Sequence, residues 1–192
     1  QIKNSAHMGI PGLYRTPDVA RSAIALAREA ARLDPVDSRS QLCLGWALIL
    51  AGQFEQGAIH HEAALGLNEN DPWTMMSAAL SAAFMGRREV ADARVAKALE
   101  IAVDPGPTHW GYVCQVALFS GDYEAAAAAG LRAQTTCHFR GWAAIALALA
   151  GEADRARAMS RDFLDVAQRN WRGETPYSPL AAADWFLHAF PI

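Results

Sequence analysis

The sequence predicts an all-α chain built from stacked helix–turn–helix repeats, and three observations carry that prediction. Glycines recur at Gly52, Gly86, Gly121 and Gly151, spaced by 34, 35 and 30 residues, close to the period of about 34 residues that marks one family of helical-hairpin repeats. Fixed columns of small side chains keep step with those glycines. Breakers at Asp34-Pro35, Asn70-Asp71-Pro72 and Asp104-Pro105, the last followed by Pro107, end one helix and start the next.

The columns matter more than the spacing. Seven residues before each glycine stand Gly45, Ala79, Cys114 and Ala144, and eight before it Leu44, Ala78, Val113 and Ala143. Five residues after each come Gly57, Ala91, Ala126 and Ala156, and twelve after come Ala64, Ala98, Ala133 and Phe163. Small residues at helical spacing let two helices approach closely, and three of the last four positions obey. The resulting map has a lone helix at 17–33, then pairs at 39–50 with 53–67, 73–84 with 87–102, 107–119 with 122–134, and 138–149 with 152–169. A last helix covers 179–189. The lone helix carries Ala23, Ala27, Ala30 and Leu33 in the columns of a second helix, so its own partner is missing or irregular, as in a piece cut from a longer protein. Residues 1–16 lack periodicity, and His7-Met8 reads as a cloning remnant, so the first dozen residues are set aside and 17–192 is read as one cooperative domain.

The stretch from Leu44-Gly45 through Gly52-Gln53-Phe54 to Ala64-Leu65, closing at Asn70-Asp71-Pro72, resembles the tetratricopeptide family, over residues 18 to about 168. The resemblance implies a right-handed superhelical solenoid. Three departures stand against the pattern: Arg88 and Ala153 replace the aromatic expected after Gly86 and Gly151, and the connector before Thr136 is short. These make the later pairs prone to irregular packing. A narrower resemblance rests on Asp34-Pro35-Val36-Asp37-Ser38, Leu42 to Trp46, Asn68-Glu69-Asn70-Asp71-Pro72 and Trp185-Phe186-Leu187 before Phe190-Pro191. These look like the carboxy-terminal repeat regions of bacterial class III nucleotide cyclases and winged-helix transcriptional regulators. Their effector residues find no counterpart here, so that likeness implies no activity.

Composition narrows the function classes. A net charge of −3 gives no basic field to gather nucleic-acid phosphates. No apolar run approaches the roughly 20 residues that cross a bilayer, and Gln1 to Tyr14 lack the apolar core of a signal peptide. Three cysteines, Cys43, Cys114 and Cys137, show no CxxC spacing and lie on or beside helices, which argues against a disulfide framework or zinc site and for a reducing cytoplasm. Cys43 and Cys114 are expected to be buried and inert.

Catalytic patterns find no purchase. His60 and His61 precede Glu62, but adjacent helical residues point about 100° apart and cannot serve one ion from one face; His61 falls in a packing column. His109 and His138 read as solvated first-turn residues without a base or nucleophile beside them. Asp162 and Asp165, spaced i and i+3, read as the outer face of a second helix. Gly9-Ile10-Pro11-Gly12 lacks the phosphate-loop pattern and a preceding strand. The chain is therefore read as no enzyme, with no cofactor and no metal.

The family resemblance assigns the first helices to a concave groove. Its lining would be Leu42, Cys43, Trp46 and Ile49, then Trp73, Met76, Leu80 and Phe84, then Tyr112, Gln115 and Phe119, then Trp142, Ile145 and Leu149. The lining is apolar and aromatic, and it lacks the Lys, Arg and Asn clamp with which chaperone-adaptor members grip a peptide carboxylate. Three readings stay open: the aromatics pack as core or against a terminal helix, they bind a peptide or amphipathic helix, or they mediate self-association. The expected function is a noncatalytic interaction or regulatory module with a protein or peptide partner, possibly itself. The runner-up is an oligomerisation segment of a larger cyclase or regulator.

Overall fold

The computed structural model describes residues 9–14 and 16–189; His7-Met8 and Phe190-Pro191, used in the sequence reading, lie outside them. The described residues form ten helices and no strand. These are α1 (Pro17–Leu33), α2 (Ser38–Ile49), α3 (Phe54–Leu67), α4 (Pro72–Phe84), α5 (Arg88–Ile101), α6 (Pro107–Phe119), α7 (Tyr123–Gly130), α8 (Cys137–Leu149), α9 (Ala153–Arg169) and α10 (Pro179–Ala189). Two compact units result. The first is Thr16–Pro105, and the second joins the described residues 9–14 to the chain from Gly106 onward.

Side chains at the breakers start the helices. Thr16 accepts from the Val19 amide at 3.3 Å ahead of Pro17, and Asp71 accepts from the Trp73 amide at 3.2 Å ahead of Pro72. Asp37, Asp122 and Thr136 cap α2, α7 and α8 in the same way. Each satisfies an amide that the first helical turn leaves unpaired.

The repeat glycines end the first helices. Gly52, Gly86, Gly121 and Gly151 have φ of 78°, 69°, 79° and 80°. In each turn the amide after the glycine donates five residues back at 2.9 Å: Gln53 to Leu48, Arg87 to Ala82, Asp122 to Ala117 and Glu152 to Leu147. That bond is the signature of a glycine-capped helix end. A side chain at these glycines would meet nothing within 4 Å, so the left-handed backbone alone demands glycine.

In the first unit, Ile24 of α1 packs with Leu44, Ala47 and Leu48 of α2, flanked by Ala23, Ala27 and Ala31. Helices α2 and α3 meet where Gly45 faces Gly57: a methyl on Gly57 would lie 2.7 Å from the Gly45 carbonyl oxygen, and one on Gly45 2.5 Å from His61 Nε2. Between α4 and α5 the small columns do the same, with Ala78, Ala79, Ala91 and Ala98 each fully buried. Arg94 of α5 ties the stack by donating to the Ala78 carbonyl at 3.1 Å and to both Glu62 oxygens at 2.7 Å. Enlarging Ala91 to leucine is expected to cost about 1–3 kcal/mol by forcing the helices apart. Urea unfolding reads the loss, and an unchanged midpoint would mean the column is misplaced.

In the second unit α7 ends at Gly130 rather than reaching the expected 134. The cause is close approach to α8. A methyl on Gly130 would lie 2.9 Å from Ala143 Cα and 3.2 Å from Cys114 Sγ, and the short connector turns at once, with the Thr135 amide bonded to the Ala133 carbonyl at 2.8 Å. Ala133 keeps its column, fully buried although outside the helix. Arg132, just past the helix, lays its guanidinium over the Trp110 ring at 3.3 Å. Residues 9–14, which carry no periodicity, also pack here: Pro11 and Gly12 are buried, and the Arg172 amide donates to the Pro11 carbonyl at 2.8 Å.

Candidate functional site

The candidate lining is described unit by unit. In the first, Trp46 of α2 is half-buried and donates from Nε1 to Ser77 Oγ at 3.0 Å, while Ser77 donates to the Trp73 carbonyl at 3.0 Å. These bonds fix the indole against α4, as a partly buried Trp requires. Trp73, Phe84 and Cys43 are also half-buried, and Phe84 stands edge-on to Phe54 at 5.7 Å. Met76 and Leu80 are fully buried, as are Leu42 and Ile49, so these four support the face from beneath and present no surface to a ligand. A shallow cleft of about 750 Å³ flanks Phe54 and is lined by Gln53, Ile59, Glu62, Met85 and Arg87.

In the second unit Tyr112, Phe119 and Ile145 are half-buried and Leu149 is exposed. Gln115 is buried; its Nε2 donates to the Gly111 carbonyl at 3.3 Å, and its Oε1 has no hydrogen-bond partner among the described residues. Trp142 is buried between Phe119, at 5.7 Å, and Phe186 of α10, at 5.2 Å, with Phe163 5.5 Å beyond Phe186. The terminal helix therefore covers Trp142. Phe186 can approach because residue 141 is glycine: a methyl there would lie 2.5 Å from the ring.

The titratable groups are occupied with packing. His61 is fully buried, its Nδ1 2.5 Å from Ser81 Oγ, and burial pushes its pKa down to about 4. His60 turns instead to Gln41 Oε1 at 2.8 Å, and burial lowers its pKa as well. His138 departs from the solvated reading: it is half-buried, its Nδ1 3.1 Å from Thr136 Oγ1 and its ring tilted against Phe139 at 4.2 Å, and desolvation pushes its pKa down to about 4. His109 is half-buried with Nδ1 unpartnered among the described residues. Cys114 and Cys137 are buried thiols pushed up to about 12 by desolvation. Cys43, expected to be buried, is only half-buried, and desolvation raises its pKa too. A thiol held protonated at neutral pH is a poor nucleophile. Asp162 is less solvated than the outer-face reading has it, since Arg140 of α8 donates to it at 2.6 Å. Among the described residues no three His, Cys, Asp or Glu side chains stand close enough to share a metal ion, and no helix is long and apolar enough to cross a membrane.

No family model matches the chain, and no curated protein matches it in sequence. Solved structures do. The Cut9–Hcn1 assembly of the APC/C superposes with a TM-score of 0.67 over 78% of this chain at 12% identity. The chain spans only 31% of that protein's length. MamA matches with a TM-score of 0.56 at 13% identity, covering 88% of this chain and 96% of its own. YrrB, described as a TPR protein with an unusual peptide-binding site, matches at 0.52 and 15% identity, covering 87% of this chain and 93% of its own. These likenesses establish the fold as the tetratricopeptide type of helical solenoid.

Proposed function

We propose that the chain is a noncatalytic protein-interaction or regulatory module that takes a peptide or amphipathic helix on the apolar faces of its first helices. The observation that carries this reading is the set of large aromatics left half-buried there: Trp46, Trp73 and Phe84 in the first unit, Tyr112 and Phe119 in the second. Apolar aromatic surface of this kind suits an apolar ligand face. The buried members, Met76, Leu80, Gln115 and Trp142, set the position of these contacts from behind. A single cooperative domain over 17–192 and a cytoplasmic setting belong to the same proposal, as does the absence of nucleic-acid contact.

The test selects peptides from a display library on the wild-type chain and remeasures them on Phe84→Ala and Tyr112→Ala, each checked for fold by circular dichroism. Binding is expected to weaken by about 2 kcal/mol or more for whichever aromatic anchors the ligand. It is expected to change little with ionic strength, because the aromatic side chains that would make the contact carry no charge. Full binding by both folded variants, or collapse of binding in moderate salt, would place the contact surface elsewhere.

A second reading, an oligomerisation segment of a larger cyclase or transcription regulator, is favoured by α1. Leu26 and Leu33 stand 61% and 70% exposed, with half-buried Val19 and Ala30, at positions 19, 26, 30 and 33 of α1, an apolar seam that suits helix pairing. Light scattering separates the two: a tight dimer supports this reading and a monomer the first.

A further inference from the structure

Residues 10–14 behave as a bound peptide. Ile10-Pro11-Gly12-Leu13 forms a tight turn closed by the Leu13 amide on the Ile10 carbonyl at 3.2 Å, with Pro11 second and Gly12 third at φ 87°, the chemistry of a type II turn. Four residues of this N-terminal strap, Pro11 to Tyr14, then meet specific receivers in the second unit. The Pro11 carbonyl accepts from the Arg172 amide at 2.8 Å, and the Leu13 carbonyl from Trp185 Nε1 at 3.2 Å. The Tyr14 hydroxyl donates to Asp184 Oδ2 at 2.8 Å and lies 3.3 Å from the Ala181 carbonyl oxygen. The Tyr14 ring stands edge-on to His188 at 6.0 Å.

The receiving surface is organised by contacts of its own. Trp185 is 1% exposed on α10. In the connector before α10, Trp171 donates from Nε1 to the Thr175 carbonyl at 2.8 Å and stands edge-on to Tyr177, whose hydroxyl donates to the Leu164 carbonyl at 3.0 Å. Against this floor the turn sits so closely that a methyl on Gly12 would lie 2.8 Å from Gly173 Cα and 2.9 Å from Trp171 Cε2. Backbone carbonyls supply affinity, the glycine contact selects the turn, and Tyr14 selects the following side chain. That division of labour is how peptide sites combine affinity with sequence preference. An open cleft of about 650 Å³ continues beside the strap, bordered by Thr135, Thr136, Val166 and Asn170, so the site has room beyond the five residues that fill it.

We propose that the surface formed by α10 and the Trp171–Tyr177 connector is a recognition site for an Ile-Pro-Gly-Leu-Tyr segment, filled in cis by residues 10–14 and open to the same segment of a second copy. This site is separate from the first-helix aromatics and does not rest on them. A covalently tethered segment competes at high effective concentration, so the native chain masks the site until its own strap lets go.

The test uses the 192-residue chain and a fluorescent peptide with the sequence of residues 9–16. Gly12→Ala in the chain weakens the strap and leaves the receiving residues intact, so this variant is expected to bind the peptide at least tenfold more tightly than the wild-type chain. The same peptide carrying alanine in place of Gly12 is expected to lose that binding, as is the chain that combines Gly12→Ala with Trp185→Phe. Circular dichroism confirms that each variant folds. Binding to the Gly12→Ala chain no tighter than to wild type, or equal binding of the glycine and alanine peptides, overturns the proposal and leaves the strap as packing alone. The Phe84→Ala and Tyr112→Ala variants, with strap and receiver intact, report separately on the first-helix faces.

Discussion

Replacing Trp142 with alanine is expected to destabilise the chain by about 3–5 kcal/mol, the range for deleting a large buried aromatic. The residue is 2% exposed and holds edge-on contacts to Phe119 and Phe186, so truncation opens a cavity and frees the inner face of α10 together. Collapse around the void is restrained by the close contact between residue 141 and the Phe186 ring. Urea denaturation followed by helical ellipticity measures the loss. A cost under about 1 kcal/mol would mean that α10 is not held through Trp142.

Acidification from pH 6.5 to pH 4 is expected to cost the fold roughly 3 kcal/mol through His61, at about 1.4 kcal/mol per unit of differential protonation. The sign follows from burial. The folded pKa is lowered from 6.5 to about 4, so above pH 6.5 both states are neutral and the group contributes nothing. Between the two values the unfolded chain takes up a proton that the folded one refuses, and stability falls with pH. His138, shifted the same way by burial, adds to the effect. Asp37 and Glu29, whose pKa values are lowered from 3.8 and 4.5 by hydrogen bonds to Ser40 and Arg32, lose their contributions from those values downward, at the acid end of this window and below it. Urea midpoints across pH 7.5 to 4 test it in wild type and in His61→Gln, which removes the titration; equal slopes would acquit His61.

How much of this was legible in the sequence depends on whether a contact is local. The glycine turns and the Thr and Asp caps act within one helix end, so their spacing revealed nearly every helix to within a residue. The early stop of α7 was hidden because it depends on α8 crossing at Gly130, a contact that no local propensity records. The candidate face was partly legible. Period alone places Trp46 and Leu80 in the same column, each six residues before its glycine, but only the neighbouring helices decide that one keeps an open edge and the other lies beneath. His138 reads as solvated from its first-turn position and is half-covered by packing. The strap was invisible to periodicity, since Ile10 to Tyr14 contact residues about 160 or more positions away. Pro11-Gly12 gave the one available signal, a turn.

The buried thiols carry a consequence for the timescale of opening. Cys114 and Cys137, held near a pKa of 12, present almost no thiolate at neutral pH, so an alkylating reagent reacts with them only in moments when the second unit opens. Cys43 lies in the first unit and is half-covered, and it samples reagent through smaller excursions. The chain thus carries its own pair of clocks, one thiol timing the first unit and two timing the second, without any label being introduced.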